Sequence, residues 1–157
     1  MSEGDTNDVT LVVPVFNEVD NLRPLHDAIA AAMTGHRYEV ILVNDGSTDG
    51  SKRILDDLAQ EHAYIRVIHF VRNYGQTAAL TAGIRHAQAP VIVTLDADLQ
   101  NDPSDIPAML NRLDEADVVC GWRRDRKDPW LSRTLPSRVA NALISKLSNV
   151  PLHDYGC

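Results

Sequence analysis

The chain has 157 residues, 44% of them hydrophobic and 24% charged, which fits one domain able to bury about two thirds of its unfolded surface. A net charge of -7 gives the whole molecule no electrostatic footprint for nucleic acid, and two cysteines, Cys120 and Cys157, make neither a disulfide framework nor a zinc spacing. The acidic start MSEGDTNDVT is unlike a secretory signal and no apolar run approaches the roughly 18 residues of a membrane span, so the chain is expected to be soluble in a reducing cytoplasm.

Five apolar runs rich in β-branched residues follow in order: Val9 to Val15, Tyr38 to Val43, Ile65 to Val71, Val91 to Leu95 and Asp117 to Cys120. Their starts lie 26 to 29 residues apart. Each predicts a strand, and Val91 to Leu95 reads as one covered on both faces. Helical periodicity fills the gaps, with Ile54, Leu55 and Leu58 in one and Ile106, Met109, Leu110 and Leu113 in another. Ser47 or Thr48 can cap the first of these helices and Asp102 or Ser104 the second, while Pro24 and Pro103 fall where a first turn tolerates proline. The βαβαβαβαβ order predicts an α/β fold, a parallel sheet flanked by helices, with all five strands ending at the edge where such sheets bind ligands.

The segments that follow the strands carry the polar chemistry: PVFNE (14–18), NDGSTDG (44–50), RNYGQTAALTAG (72–83), DADLQ (96–100) and GWRRDRKD (121–128). Asp96 and Asp98 repel each other when ionised unless a cation lies between them. Hard carboxylate oxygens suit Mg2+ or Mn2+, which keep positions open for phosphate oxygens; the bland alternative is a turn or cap pair. Gln100 adds a neutral oxygen within reach of the metal or its water. In NDGSTDG, Gly46 permits a tight strand-to-helix turn, and Asn44 and Asp45 are candidates to bind a nucleobase or ribose, against a plain capping turn. Neither G-x-G-x-x-G nor G-x-x-x-x-G-K-[ST] occurs, which argues against a dinucleotide enzyme or a P-loop ATPase. Ala79 and Gly83 read as small residues that let a helix approach the sheet; Arg72 and Asn73 are better functional candidates, since Arg can grip phosphate with two parallel hydrogen bonds.

From Trp122 to Arg138, six basic residues stand against Asp125 and Asp128, a net +4 in 17 residues of a chain of charge -7. This predicts an anion site, for an acceptor phosphate or a membrane surface, in place of a merely solvated loop. Beyond Trp130, Leu131, Leu135, Val139, Leu143 and Leu147 fit either a core-facing helix or one lying in a membrane interface. The six histidines show no metal spacing and read as structural or solvated, and Cys120 reads as an inert buried thiol.

In this order, PVFNE, VNDGSTDGS, RNYGQTAALTAG, DADLQNDP and DYGC resemble the inverting family-two glycosyltransferases of GT-A fold, most closely the polyprenyl-phosphate branch of dolichol-phosphate mannosyltransferase type. The similarity runs from Val9 to Cys157. It implies a Rossmann-like nucleotide-diphospho-sugar transferase fold and a single catalytic domain over 1–157. It also implies a fragment truncated at the C-terminus, since relatives continue past DYGC with more sheet and often transmembrane helices. The resemblance further implies that Pro14, Phe16, Glu18, Asn44 and Asp45, with Arg72 and Asp96, hold the nucleotide sugar. Asp96, Asp98 and Gln100 would serve Mg2+ or Mn2+ and the diphosphate, and Arg123, Arg133, Ser137 and Arg138 the lipid phosphate. Asp96, Asp98, Arg123 and Arg133 form the implied catalytic set. Many relatives carry Asp at position 44; Asn keeps an acceptor oxygen without the charge, so GDP and UDP donors both stay open.

The implied reaction is transfer of a hexose to a polyprenyl phosphate with inversion, at the cytoplasmic face of a membrane approached through residues after Trp122. A phosphate monoester has a second pKa of about 6, so this acceptor is already an anion and needs no catalytic base. Two other readings stay open: a family-two transferase to a saccharide hydroxyl, which needs a carboxylate base, and a non-catalytic nucleotide- or membrane-binding module.

Overall fold

The computed structural model describes residues 7–121. Four parallel strands, β1 (Val9–Val15), β2 (Tyr38–Asn44), β3 (Ile65–His69) and β4 (Val91–Thr94), form a sheet in the order β3-β2-β1-β4. Between them run α1 (Leu22–Ala32), α2 (Ser51–Glu61) and α3 (Gln76–His86); after β4 come a 3-10 turn (Pro103–Asp105) and the short α4 (Ile106–Leu110). Residues up to Pro107 form one compact unit, and a second begins at Ala108.

β1 and β2 are the central strands, and their unbroken Val, Leu and Ile runs match burial on both faces: Leu11, Val12, Val13, Ile41 and Val43 are fully buried. α1 contributes the stripe Leu22, Leu25 and Ile29, continued by Met33, and α2 contributes Leu55 and Leu58. α3 buries small residues instead. A Cβ at Gly83 would collide with the Val12 side chain and stand 3.3 Å from Val43 Cγ2, so the helix lies directly on β1 and β2, and Ala79 beside it is fully buried. Ala79 packs with Ile41 and Val43, as expected for two small residues on one helical face.

The order of the strands positions the site. The chain steps outward from β1 to β2 to β3, then returns to place β4 on the other side of β1. Right-handed crossovers then set α1 and α2 on one face and α3 on the other, and leave a crevice beyond the C-terminal ends of β1 and β4, where the direction of winding reverses.

At the opposite edge, where the strands begin, Thr10 and Glu39 are register partners and both buried. The Thr10 hydroxyl donates to Glu39 Oε1 at 2.7 Å, the Gln88 N–H donates to the same oxygen at 3.0 Å, and Arg66 pairs with Oε2 at 2.8 Å.

Several sequence expectations need correction. The run Asp117 to Cys120 forms no strand: Val118 is 73% exposed and Cys120 is an exposed free thiol, not a buried one. A strand exists only where a neighbour supplies its ladder, and no described strand pairs with this run. β4 is half-covered, with Ile92 40% exposed, because it is an edge strand among the described residues. β3 ends at His69, leaving Val71 exposed, although the Phe70 N–H still reaches the Asn44 carbonyl. Neither Ser47 nor Thr48 caps α2; Gly50, with φ 98°, occupies the cap position. Asp102 does cap, accepting from the Ser104 N–H ahead of Pro103, but the expected long helix is a 3-10 turn running into α4 and then turns to Glu115.

Candidate active site

The loop after β2 is the most tightly built part of the C-terminal edge. Asn44 is buried; its carboxamide oxygen accepts from the Ser47 N–H at 2.9 Å and its Nδ2 lies 3.0 Å from His69 Nδ1, whose other ring nitrogen meets Asp56. Asp45, also buried, directs its carboxylate at the loop after β3: Oδ1 accepts from the Tyr74 N–H and Oδ2 from the Gly75 N–H, at 2.7 and 2.8 Å. Gly46 has φ 71°, and a Cβ there would run into the backbone of Arg72 and Asn73, coming within 2.7 Å of Arg72 Cα. Glycine is therefore required twice over, by backbone angle and by contact. The two loops are effectively one body.

The loop after β1 is tied to the same body. Pro14 sits in the last turn of pleat of β1 and Phe16 projects just beyond it, 46% exposed. Asn17, in the left-handed region at φ 58°, exchanges hydrogen bonds with the α2 approach: its N–H donates to Ser47 Oγ and its side-chain oxygen accepts from the Thr48 N–H. The Glu18 N–H donates to Ser51 Oγ, and the Glu18 carboxylate accepts from Asn21 Nδ2 at 2.6 Å. Asp49 completes the join, taking the Val19 N–H on one oxygen and both the N–H and hydroxyl of Ser51 on the other. Partial desolvation pushes the Asp49 carboxyl up, but those Ser51 and Val19 donors outweigh it and hold it below its ordinary value.

After β4 the chain turns sharply. Leu95 and Ala97 are buried, which turns the intervening Asp96 and the following Asp98 toward the rim. Asp98 is exposed, and its Oδ1 accepts from the Gln100 N–H at 3.0 Å across Leu99, whose φ of 60° closes the turn. Asp96 Oδ1 accepts from Gln76 Nε2 at 2.7 Å. Gln76 is the first residue of α3, immediately after Gly75. Thus the carboxylate of Asp45, the start of α3 and the carboxylate of Asp96 form a continuous hydrogen-bonded path. Among the described residues no three His, Cys, Asp or Glu side chains cluster in a way that could hold a metal by themselves.

Arg72 lies with its guanidinium carbon 5.0 Å from the Tyr74 ring centroid, and Tyr74 meets Phe70 edge-on at 5.6 Å, so this cation rests on a half-exposed aromatic step in the loop after β3. Gln76, Tyr74 and Asp49 have no assigned role in the sequence, and Ser47 reads there only as a helix cap. Their only signal was position, at the turns that end β2 and β3. The basic candidates Arg123, Arg133, Ser137 and Arg138 and the apolar repeat after Trp130 lie outside the described residues.

Comparison with known proteins bears directly on this edge. The profile of glycosyl transferase family 2 matches residues 10–155. A dodecaprenyl-phosphate galacturonate synthase from Rhizobium johnstonii is 47% identical over 155 residues, covering 96% of this chain and 46% of the relative. An undecaprenyl-phosphate 4-deoxy-4-formamido-L-arabinose transferase from Edwardsiella ictaluri is 42% identical over 153 residues, 95% of this chain and 47% of the relative. The chain therefore spans about half the length of the curated relatives it matches. Among solved structures, a mannosyltransferase from Pyrobaculum calidifontis in complex with GDP-Man and Mn2+ superposes with a TM-score of 0.64 at 25% identity, over 74% of this chain and 36% of that one. TarS residues 1–349 of S. aureus in complex with UDP superpose with a TM-score of 0.61 at 18% identity, over 78% and 38%, a likeness of fold. The sheet with its switch-point crevice, the acidic turn after β4 and the family profile agree: this chain belongs to glycosyl transferase family 2 and carries its GT-A architecture.

Proposed function

We propose that the chain is the nucleotide-sugar-binding part of an enzyme that transfers a sugar, with inversion, from a nucleoside diphosphate to a polyprenyl phosphate. The observation that carries this reading is the pair Asp96 and Asp98 at the mouth of the β1/β4 crevice, each with one oxygen fixed by a neutral N–H donor. Such donors orient a carboxylate and add no positive charge of their own, which suits a pair that is to meet a divalent ion. Two hard carboxylates with Gln100 alongside fit Mg2+ or Mn2+, which take their remaining ligands from water and phosphate oxygens. Bound there, such an ion supplies Lewis-acid neutralisation of the diphosphate leaving group.

The chain's own groups do the rest. Phe16, 46% exposed just past the end of β1, would hold the nucleoside together with Pro14, Glu18, Asn44 and Asp45. Arg72 on its aromatic step is available to a phosphate oxygen. Arg123, Arg133, Ser137 and Arg138 would hold the acceptor phosphate in line with the anomeric carbon, and the acceptor's existing charge removes the need for a base. The relatives support the acceptor, since both are named for polyprenyl phosphates. The sugar expected from the sequence is a hexose; one relative is named for a galacturonate and the other for an arabinose derivative, so the donors tested should include uronic acids and pentoses. A lipid acceptor requires approach to a membrane surface; among the described residues no helix is long and apolar enough to cross one.

The test is transfer by the full-length protein from labelled UDP- and GDP-sugars, with polyprenyl phosphate, Mn2+ and, in parallel, a free saccharide acceptor. Label in the organic phase that is lost with a chelator is the expected result. Label on the free saccharide alone would replace this reading with the hydroxyl-acceptor one. In the same assay Arg133→Ala should raise the acceptor KM or lower kcat while leaving donor KM within about twofold.

A further inference from the structure

The path from Asp45 to Asp96 gives Gln76 a role that the acidic pair does not explain. Asp45 anchors the N–H groups of both Tyr74 and Gly75, so the backbone that launches α3 is fixed to the end of β2. Gly75 adopts φ 94°, ψ 156°, a conformation open to glycine, and the next residue is Gln76. Its side-chain amide then spans to Asp96 Oδ1 at 2.7 Å. We propose that Gln76 is a positioning residue for the divalent-ion site: it holds the Asp96 carboxylate in its ion-binding orientation and links it rigidly to the nucleoside-side loops. The inference rests on the metal-dependent reading above.

The residue type supports this over a simple surface tie. An ionised carboxylate offers about four acceptor sites, and one amide N–H occupies one of them. A lysine or arginine at position 76 would also reach Asp96, but would lower the negative potential that draws a divalent ion to the turn. A glutamine fixes the geometry and adds no positive charge of its own. Outer-sphere partners of this kind typically govern metal affinity by about 10- to 100-fold.

The discriminating measurement is uptake of Mn2+ by the full-length protein, followed by electron paramagnetic resonance in the presence of GDP and, separately, UDP. Gln76→Ala and Gln76→Met should each bind Mn2+ about 10- to 100-fold more weakly than the wild type, with the melting temperature within about 2 °C. Met keeps the length and bulk of the side chain and lacks only the donor, so agreement between the two variants assigns the loss to the hydrogen bond. Wild-type Mn2+ affinity in both variants overturns the proposal, as does a fall in melting temperature with affinity unchanged, which would make the contact structural. A wild-type protein that takes up no Mn2+ with either nucleotide overturns this proposal and the metal-dependent reading together.

Discussion

The two ends of the sheet carry carboxylates in opposite circumstances. Where the strands begin, Glu39 is 4% exposed and its chain supplies everything it needs: a hydroxyl, a backbone N–H and the Arg66 guanidinium. Where the strands end, Asp96 and Asp98 sit at the rim and the partners described for them are a neutral amide and a backbone N–H. With its hydrogen bonds and its counter-charge both supplied inside the fold, Glu39 is a structural group. An acid at the rim can be reached by a cation from outside. Burial sets Glu39, closed off inside the fold, apart from the rim acids that a ligand can reach.

The comparison breaks if the rim acids prove structural. Asp98→Ala should lower metal-dependent transfer by about 10²- to 10³-fold, in line with the loss of a principal charge-stabilising group, while stability to denaturant changes by no more than about 0.5 kcal/mol. A variant that transfers normally in the presence of chelator would detach Asp98 from the metal. Gly46→Ala probes what keeps the rim in place. The new methyl group meets the Arg72 and Asn73 backbone at a position of positive φ, so a destabilisation of about 3 kcal/mol is expected, with donor binding weakened in the fraction that folds. Chemical denaturation with a parallel nucleotide titration measures both.

Glu39→Ala sharpens the contrast from the other end. It deprives the Thr10 hydroxyl and the Gln88 N–H of their acceptor and Arg66 of its carboxylate, although Arg66 still donates to the His86 carbonyl and Thr10 still accepts from the Ala89 N–H. Because Arg66 is 39% exposed and can rehydrate, the expected cost is about 2 kcal/mol, below that of breaking a fully buried pair. Transfer per folded molecule should be unchanged. A large loss of kcat without loss of stability would show that the closed end of the sheet reaches the chemistry.

Legibility followed the range of the interaction. β1 and β2 were readable because a strand buried on both faces writes itself as an unbroken apolar run. The acidic turn was readable because two carboxylates at the end of such a run conflict with their setting. Gln76 was not, since its significance lies in a partner 20 residues away, and GQTAAL by itself reads only as the opening of a helix. The same limit hid the contact of Asp45 with the N–H groups of Tyr74 and Gly75, 29 and 30 residues on. Asp117 to Cys120 failed in the converse way: local composition favoured a strand, but a ladder depends on a neighbour that composition does not specify. Asp49 was visible only as one turn-forming residue among several in NDGSTDG, where capping chemistry pointed instead to Ser47 or Thr48.

Asp49 lies between the two extremes, and the smallest predicted effect falls on it. It is exposed like Asp98, yet its hydrogen bonds tie the loop after β1 to the start of α2. Its folded pKa is depressed below the ordinary 3.8, so its contribution is present at pH above that value and is lost as the pH falls through the lower folded value. Asp49→Asn removes one acceptor and the charge while keeping the shape. At neutral pH the loss should stay below about 1 kcal/mol, as for other exposed charged groups. The gap between wild type and variant should then close on the acid side of pH 3.8, which urea denaturation at stepped pH values would follow. A gap that persists unchanged to pH about 2 would mean that the carboxylate's charge plays no part, leaving shape alone to join the two loops.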